Sequence, residues 1–539
     1  MIIDTSDDTI LSMIYIKSIS IILRPAFLLT GFILTLILSC HPTHEIKSQH
    51  CPVKTNAPNI IIISMNSLRS DHLGCYGYDK STSPNIDKFA RESILFRNAI
   101  AQSSHPLGSN ASILTGLYPP SHGLTGLQVK LSNERTTLAE ALNQSGYQTA
   151  AFTGGFHVSS IYGLDQGFET YFDNVEHGRL ADVIPPALEW LKSSDRNNKK
   201  FFLFLQAYDC HTPHQAPKEY DHMFDPDYKG VMDKFILSNS LGNRISGLSL
   251  KTDQGEIIQL SPDDINHIIA HYDGALAYAD KQLGIFLDKI KSMGLMDNSI
   301  IILMGDHGEA HMDHGYIIRR QHGGIYEEGV KVPLIIRLPE NLKSQIARPA
   351  SQIDTQAQLI DLMPTILDYI DIPAPHPCQG QSLKPLLSGQ ARPDFNEFIF
   401  SNGATNIPRP FDKLITIFPK PKSYLTEEWQ VCIRSNEWKL LKFNNINGTF
   451  YELYHLEVDP REINNLAEKE MILANKLKER LNKWEKTTLN TIPLIEYNAA
   501  LYNKIKEKWR VIDPRWLDDM DDGKDIFEKP NPSVPSNNK

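Results

Sequence analysis

The sequence predicts an α/β fold, in which helices flank a mostly parallel central sheet and a smaller α+β subdomain follows. The first observation is a set of continuous apolar runs rich in β-branched residues, as expected for strands buried on both faces of a parallel sheet. These runs are Asn59–Ser64, Lys200–Gln206, Ser299–Met304 and Val332–Arg337. The second is that helical segments separate them, the clearest extending from about Asp264 to Met293 with one apolar face. Strands that alternate with helices indicate a parallel sheet with right-handed crossovers.

The pattern changes beyond Ile372, where the apolar runs become shorter. Three of them predict short antiparallel strands: Phe398–Phe400, Gln430–Ile433 and Trp438–Phe443. A helix with Leu473, Leu477, Leu481 and Trp484 on one stripe follows them. We therefore assign residues 57–372 to the main domain, 373–517 to the α+β subdomain, and the Asp-, Pro- and Asn-rich end, 518–539, to a disordered tail.

The N-terminus has the pattern of an export signal. A basic region precedes a short apolar run, residues 26–38, which ends at a small residue before Cys40. This end resembles a bacterial lipobox with Cys40 as the lipidated residue, and the alternative is one uncleaved anchor helix, for which the run is near the lower length limit. Residues 1–40 are thus a signal or anchor and 41–56 a polar linker. Both alternatives place the body of the protein outside the cytoplasm, at the bacterial cell envelope.

Charge and cysteine content exclude some classes of function. The formal net charge of -10 argues against a nucleic-acid partner, because phosphate backbones are bound by basic surfaces. An anionic ligand would need a locally positive pocket. The chain has six cysteines, too few for disulfides to hold together a fold of 539 residues. If Cys40 carries lipid, the remaining number is odd and at least one thiol is unpaired.

Four polar clusters are placed at the carboxyl ends of predicted strands, where ligands gather in an open α/β sheet. They are residues 65–74, 208–214, 305–314 and 321–331. Together they contain Asp, Asn, Glu and His side chains at high density. This composition indicates a site for a hard cation with acid–base groups around it.

The order and composition of these clusters resemble the sulfatase family of the alkaline-phosphatase-like superfamily. The resemblance extends from about residue 57 to 470 and includes Asp-His-Leu-Gly-Cys-Tyr-Gly-Tyr at 71–78, Gly-Asp-His-Gly-Glu at 305–309 and Tyr-Glu-Glu-Gly-Val-Lys-Val-Pro-Leu-Ile at 326–335. It implies a sulfuric ester hydrolase that acts on sulfate monoesters, or on phosphate or phosphonate esters. It also implies one divalent cation, usually calcium, and a nucleophile that sulfatases make by oxidising Cys or Ser to formylglycine.

The resemblance places the metal ligands at Asp306, His307 and Asn66. Asp306 and His307 keep the family's residue pair, whereas Asn66 stands where the family has an Asp. An Asn can offer a carbonyl oxygen but lacks the ligand charge from which a calcium site draws much of its affinity. We therefore expect a metal site that is weak or empty.

The nucleophile position falls on a residue that cannot perform the family's chemistry. The match of residues 111–116 to the family's helix places Pro106 there, so formylglycine is not expected. In this register Ser109 matches the family's Ser and Asn110 replaces its Arg. A register shifted by two residues would instead make Ser104 the nucleophile. We favour the unshifted register because its match to the later helix is continuous.

The other candidate residues are a set of bases near the predicted pocket. The resemblance implies that His211 is the leaving-group acid or a substrate ligand, and that Lys331 is a basic residue at the pocket. A surface pair between Lys331 and Glu327 is the alternative for the lysine. His322 is a further candidate for lining the site. His157 is an uncertain match to a family Lys-x-His element whose lysine is absent here.

Two functional hypotheses follow. The first is a surface-anchored sulfatase-family hydrolase with altered nucleophile and metal positions, and Asp306, His307 and His211 favour it. The second is a catalytically inactive sulfatase-like protein that binds a glycan or anionic ligand, and Pro106 and Asn66 favour it. In both cases the expected partners are a sulfated or phosphorylated small molecule or glycan, and the membrane through the N-terminal lipid or anchor.

Overall fold

The computed structural model describes residues 56–489 apart from internal gaps. The gaps are residues 126–128, 176, 194–198, 213, 215, 235–244, 247–248, 252–255, 312, 315–323, 345–350, 391–394, 404–428 and 446–447. The predicted signal or anchor, Cys40, nearly all of the linker and the predicted tail lie outside the described residues. Among the helices within the described part, none combines the length and the apolar character that a membrane span requires.

Strands and helices alternate through the first three quarters of the described chain. The strands are β1 (Asn59–Met65), β2 (Ile94–Ile100), β3 (Gln148–Thr153), β4 (Thr170–Phe172), β5 (Phe201–Ala207), β6 (Ile245–Ser246), β7 (Ser249–Lys251), β8 (Ile257–Gln259), β9 (Ser299–Gly305), β10 (Lys331–Arg337), β11 (Gln352–Ile353), β12 (Ala357–Gln358), β13 (Ile399–Asn402), β14 (Trp429–Arg434), β15 (Trp438–Asn445) and β16 (Gly448–His455). The α-helices are α1 (Pro84–Arg91), α2 (Pro106–Thr115), α3 (Pro119–His122), α4 (Leu138–Gln144), α5 (Leu180–Lys192), α6 (Pro262–Ser292), α7 (Glu327–Val330), α8 (Glu340–Lys343), α9 (Leu362–Tyr369), α10 (Lys384–Leu387) and α11 (Met471–Leu489).

The central sheet has β1 in its middle. The strand order is β11-β2-β10-β9-β1-β5-β3-β4, and β12 also pairs with β2. β1 lies between β9 and β5 and is parallel to both, with Ile62 opposite Ile302 on one side and Phe204 on the other. Every residue of β1 is buried, as its β-branched run predicts. The predicted mostly parallel α/β sheet is confirmed.

The fourth predicted strand has the opposite direction from its neighbours. β10 pairs antiparallel with both β9 and β2, so the expectation that Val332–Arg337 would join the sheet in parallel was wrong. A parallel return needs a long crossover, whereas antiparallel neighbours need none. Of the residues described between β9 and β10, only the four of α7 form an α-helix. Because β10 is reversed, its first residue, Lys331, lies at the edge where β1 and β9 end.

Apolar cores cover both faces of the central sheet. Along β1, Ile60 and Ile62 belong to one core and Ile61 and Ile63 to the other, as the alternation of side chains along a strand requires. Helices α2 and α9 supply buried residues to the first core, and α5 and α6 to the second. The predicted long helix is confirmed as α6, which begins at a capping box formed by Ser261.

A small sheet of β6, β7 and β8 precedes α6, and a four-stranded antiparallel sheet follows the central sheet in the order β13-β14-β15-β16. The predicted short strands and the helix after them are therefore confirmed. Trp484 of α11 stacks on Phe400 of β13 with ring centroids 4.7 Å apart, and Leu477 and Leu481 of the same helix are buried against the sheet. This sheet also contacts the chain just before α2, because the Ser401 hydroxyl donates to the Ala101 carbonyl at 2.6 Å.

Candidate active site

Asp306 and His307 lie directly after β9 and are fully buried. The His307 backbone N–H donates to Asp306 Oδ1 at 2.8 Å, which fixes the carboxylate beside the imidazole. His307 Nδ1 lies 2.8 Å from the Gly308 carbonyl oxygen. Since a carbonyl oxygen only accepts, Nδ1 holds a proton.

Asn66, at the end of β1, turns its amide nitrogen toward this pair. Nδ2 donates to Asp306 Oδ2 at 3.0 Å and lies 3.2 Å from His307 Nε2. The amide oxygen instead accepts from the Ser67 hydroxyl at 3.1 Å. This orientation follows from the hydrogen-bond network, because the nitrogen faces the Asp306 carboxylate, which only accepts.

The start of α2 packs against the same aspartate. Ser109 Oγ donates to the Asp306 backbone oxygen at 2.5 Å. Asn110 Nδ2 donates to Asp306 Oδ2 at 2.8 Å and to the Pro106 carbonyl at 2.8 Å. The helix that begins at Pro106 therefore faces the site, and its second turn provides a second amide donor to Asp306. Ser104 is fully buried in the segment that precedes the helix.

Four imidazoles form an arc along the loops that follow β2, β3, β4 and β5. The rings of His105 and His157 have centroids 4.4 Å apart, and His157 packs on Phe156 at 4.0 Å. Phe156 in turn lies 4.5 Å from His177, whose ring stacks on His211 at 5.2 Å. His211 was predicted and His157 was considered. His105 and His177 were missed, although each follows a strand closely enough to suggest a place at this edge.

Asp209 and His214, which flank His211 in the sequence, are buried and have shifted pKa values. Burial raises the pKa of Asp209 to about 7, partly offset by the Leu180 N–H that donates to Oδ2 at 2.8 Å. Burial lowers the pKa of His214 to about 4, so its ring is neutral at physiological pH. The segment around His211 thus contains a carboxyl group that is partly protonated near neutral pH.

We predict that Asp209→Asn increases stability more at about pH 8 than at about pH 5. The pKa of an unfolded Asp is about 3.9, and that of Asp209 in the folded state is about 7. Between these values the folded protein holds a proton that the unfolded chain has lost, so the wild type loses stability as the pH rises through this window. Denaturant titrations at both pH values test this. Asp354→Asn, which removes an exposed carboxylate, is the control, and equal effects of Asp209→Asn at both pH values would contradict the prediction.

Lys331 is half-buried at the start of β10. Burial lowers its pKa, and the nearby Glu327 carboxylate opposes that shift. Glu327 also lies 3.0 Å from Arg434 and 3.0 Å from Lys439. A basic residue at the pocket and a pair with Glu327 both stay predictions for Lys331. The remaining predicted residue, His322, lies outside the described residues.

Comparison with known proteins identifies the family. Residues 58–372 match the family model described as Sulfatase. The chain belongs to the sulfatase family. It is 25% identical to an N-acetylglucosamine-6-O-sulfatase of Bacteroides thetaiotaomicron, over 80% of this chain and 87% of the relative. It is also 25% identical to an arylsulfatase of Clostridium perfringens, over 84% of this chain and 98% of the relative.

Solved structures share the fold. One is a protein solved in complex with its substrate, D-glucosamine-2-N, 6-O-disulfate. It superposes on this chain with a TM-score of 0.62 at 22% identity, covering 82% of this chain and 100% of the other. The phosphonate monoester hydrolase of Agrobacterium radiobacter has a TM-score of 0.62 at 20% identity, covering 80% of this chain and 96% of the other. The resemblance noted in the sequence is therefore confirmed for family and fold.

The sulfatase family typically binds a divalent metal, and the sequence resemblance assigns its ligands in this chain to Asp306, His307 and Asn66. Their arrangement fits a calcium ion poorly. Calcium is bound by six to eight oxygens, whereas the groups turned toward Asp306 Oδ2 are the amide nitrogens of Asn66 and Asn110. The N–H donors of these two amides stabilise the buried carboxylate without a cation.

Proposed function

We propose that this sulfatase-family protein binds a sulfate monoester of a glycan or small molecule at the carboxyl edge of the central sheet. We propose further that it does so at the cell envelope, and that it does not cleave the ester by the family's nucleophile-and-metal route. The observation that supports this most directly is the pair of amide donors on Asp306 Oδ2, from Asn66 and Asn110. The position of Pro106 at the start of α2 agrees with it, because proline offers no nucleophile.

The ligand class follows from the chemistry of the site and from the relatives. Imidazole N–H groups and a lysine ammonium bind sulfate oxygens through charge-assisted hydrogen bonds. The arc from His105 to His211, together with Lys331, supplies such groups at one edge of the sheet. The relative named N-acetylglucosamine-6-O-sulfatase favours a carbohydrate sulfate.

Hydrolysis by altered chemistry is the second candidate, and the imidazole arc favours it. General acid–base catalysis needs one group that takes a proton from an attacking water and another that protonates the leaving alcohol. His177 and His211, stacked with ring centroids 5.2 Å apart, offer two such groups. The phosphonate monoester hydrolase with the same fold makes phosphate and phosphonate esters alternative substrates for this route.

Binding and turnover are to be measured on the same purified protein. We expect calorimetry to detect binding of N-acetylglucosamine 6-sulfate. We expect an aryl sulfate to be hydrolysed very slowly or not at all. His211→Ala should weaken binding about tenfold or more, since it removes a hydrogen bond to a charged group. His376→Ala, which changes an exposed histidine, is the control and should leave binding unchanged.

Two results would overturn the proposal. Absence of measurable binding of any sulfate ester would refute the ligand class. Rapid, calcium-dependent turnover that Ser104→Ala abolishes would show that the shifted register is correct and that the family route operates. A peptide mass spectrum provides an independent check, in which we expect unmodified proline at position 106.

A further inference from the structure

A separate group of histidine and aspartate side chains lies between α6 and the segment that follows β5. His267 is in the second turn of α6 and is buried, whereas His222, Asp225 and Asp233 come from the segment and are partly exposed. His222 Nε2 is 3.5 Å from Asp233 Oδ1, and His267 Nε2 is 3.9 Å from the same oxygen. These three ligand atoms all lie within 4.8 Å of one another.

Asp225 fixes the tautomer of both histidines. His267 Nδ1 lies 3.3 Å from Asp225 Oδ2, and His222 Nδ1 lies 3.3 Å from the Asp225 backbone oxygen. Because both oxygens are acceptors, each Nδ1 holds the proton and each Nε2 presents a lone pair. Metal-binding histidines are commonly oriented in this way, with one ring nitrogen on the metal and the other donating to a carboxylate or carbonyl.

The two Nε2 atoms lie beside a carboxylate oxygen, Asp233 Oδ1. All three atoms are of types that bind zinc, and no two of them are more than 4.8 Å apart. A zinc ion with bonds of about 2.0–2.1 Å holds tetrahedral ligand atoms roughly 3.3 Å apart. Two of the separations, 3.5 and 3.9 Å, are close to this value, and the third is within 4.8 Å.

A second buried histidine lies one turn further along α6. His271 is 1% exposed, and its Nε2 lies 3.4 Å from Asp221 Oδ1. The face of α6 that packs on the segment from Asp221 to Asp233 therefore carries two histidines, each beside a carboxylate of that segment.

We propose that His222, Asp233 and His267 bind a divalent transition-metal ion, with zinc as the best match to two imidazoles and a carboxylate. The ion fastens the segment from Asp221 to Asp233 onto α6. The same helix reaches the sheet edge, where the Tyr272 hydroxyl donates to the Ser67 carbonyl at 2.9 Å. The metal thus stabilises a segment whose supporting helix contacts the candidate active site.

Another histidine–carboxylate group shows the contrast. His314, Glu328 and Glu462 also lie close together. There, however, His314 Nδ1 is 2.7 Å from Glu328 Oε1 and Nε2 is 3.0 Å from the Glu462 carbonyl. Both ring nitrogens already have hydrogen-bond partners, so the group does not need a cation to satisfy them.

The test uses cobalt(II) as a spectroscopic probe of the full chain after treatment with a chelator. We expect one equivalent of cobalt to give the intense visible bands of a tetrahedral site, and zinc to displace it. His222→Ala removes a ligand and should weaken cobalt binding by more than the roughly 10–100-fold that loss of a residue orienting a ligand costs. Since His222 is about half exposed, this variant is expected to fold. His376→Ala and Asp306→Ala are the controls and should retain the bands.

Three outcomes would overturn the proposal. The first is that the wild type gives no stoichiometric cobalt spectrum. The second is that His222→Ala and His267→Gln bind cobalt as tightly as the wild type does. The third is that Asp306→Ala, and not His222→Ala, abolishes the bands, which would assign the ion to the sheet edge. None of these outcomes depends on turnover, so the test is independent of the proposed sulfate-ester function.

Discussion

Lys439→Met is expected to lower the free energy of unfolding by about 3–5 kcal/mol, the usual cost of breaking a buried ion pair by removing one partner. The Lys439 side chain is fully buried. Its ammonium lies 3.0 Å from Glu327 Oε1 and 3.0 Å from Glu462 Oε1. Methionine fills a similar volume but leaves the two carboxylates buried without their common cation.

The pKa values of the two carboxyl groups show what the lysine contributes. Arg434 and Lys439 hold the pKa of Glu327 well below its usual range despite its burial. Burial raises the pKa of Glu462 to about 7, and the attraction of Lys439 opposes that rise. Removing the lysine should raise both pKa values. The variant should therefore recover part of the lost stability at acid pH, where a protonated carboxyl group no longer needs a cation.

Lys384→Met is the matched control for this prediction. Its ammonium lies 2.9 Å from Asp368 Oδ1, but both side chains are more than one third exposed. An exposed pair of this kind contributes about 0–1 kcal/mol. Denaturant titration of both variants at neutral pH measures the difference. Equal losses would show that the buried network adds nothing beyond a surface pair.

Much of the fold followed from local patterns. The buried runs at β1, β5 and β9 and the amphipathic face of α6 are determined by residue type and spacing, which the sequence displays directly. The direction of β10 is different in kind. Its run of β-branched residues is the same in either direction, and only the pairing with β9 and β2 decides the orientation. That pairing is a long-range contact that no local window contains.

The candidate site was predictable in its residues but not in its hydrogen bonds. The rule that strand ends meet at one edge of a sheet placed the polar clusters together, and the resemblance to the sulfatase family singled out Asp306, His307 and Asn66 within them. Which atom of the Asn66 amide faces Asp306 depends on Ser67 and His307, and hence on the assembled geometry. The burial of Lys439 could likewise not be predicted from the sequence. A lysine in a strand such as β15 is buried or exposed according to the residues that pack against it.

Asn66→Asp is expected to increase calcium affinity about tenfold or more by adding an ionised oxygen ligand to the set. In the wild type, Nδ2 of Asn66 lies 3.0 Å from Asp306 Oδ2. A carboxylate oxygen at that place would repel Asp306 when no cation is present. The variant should therefore be less stable than the wild type in a chelator and more stable than the wild type in millimolar calcium. Thermal unfolding in the two buffers measures both effects.

Asn98→Asp is the control, because it adds the same charge at an amide in β2 that contacts the Asp354 carbonyl and not the site. It should unfold at the same temperature in chelator and in calcium. The prediction fails if calcium does not change the unfolding temperature of Asn66→Asp. The two strand ends would then be unable to hold an ion even when residue 66 carries a charge. Stabilisation of the wild type by calcium to the same extent as the variant would also contradict it, since the Asn66 amide lacks the ligand charge that the variant adds. The two buffers separate these cases because the cation reverses the sign of the interaction between residues 66 and 306.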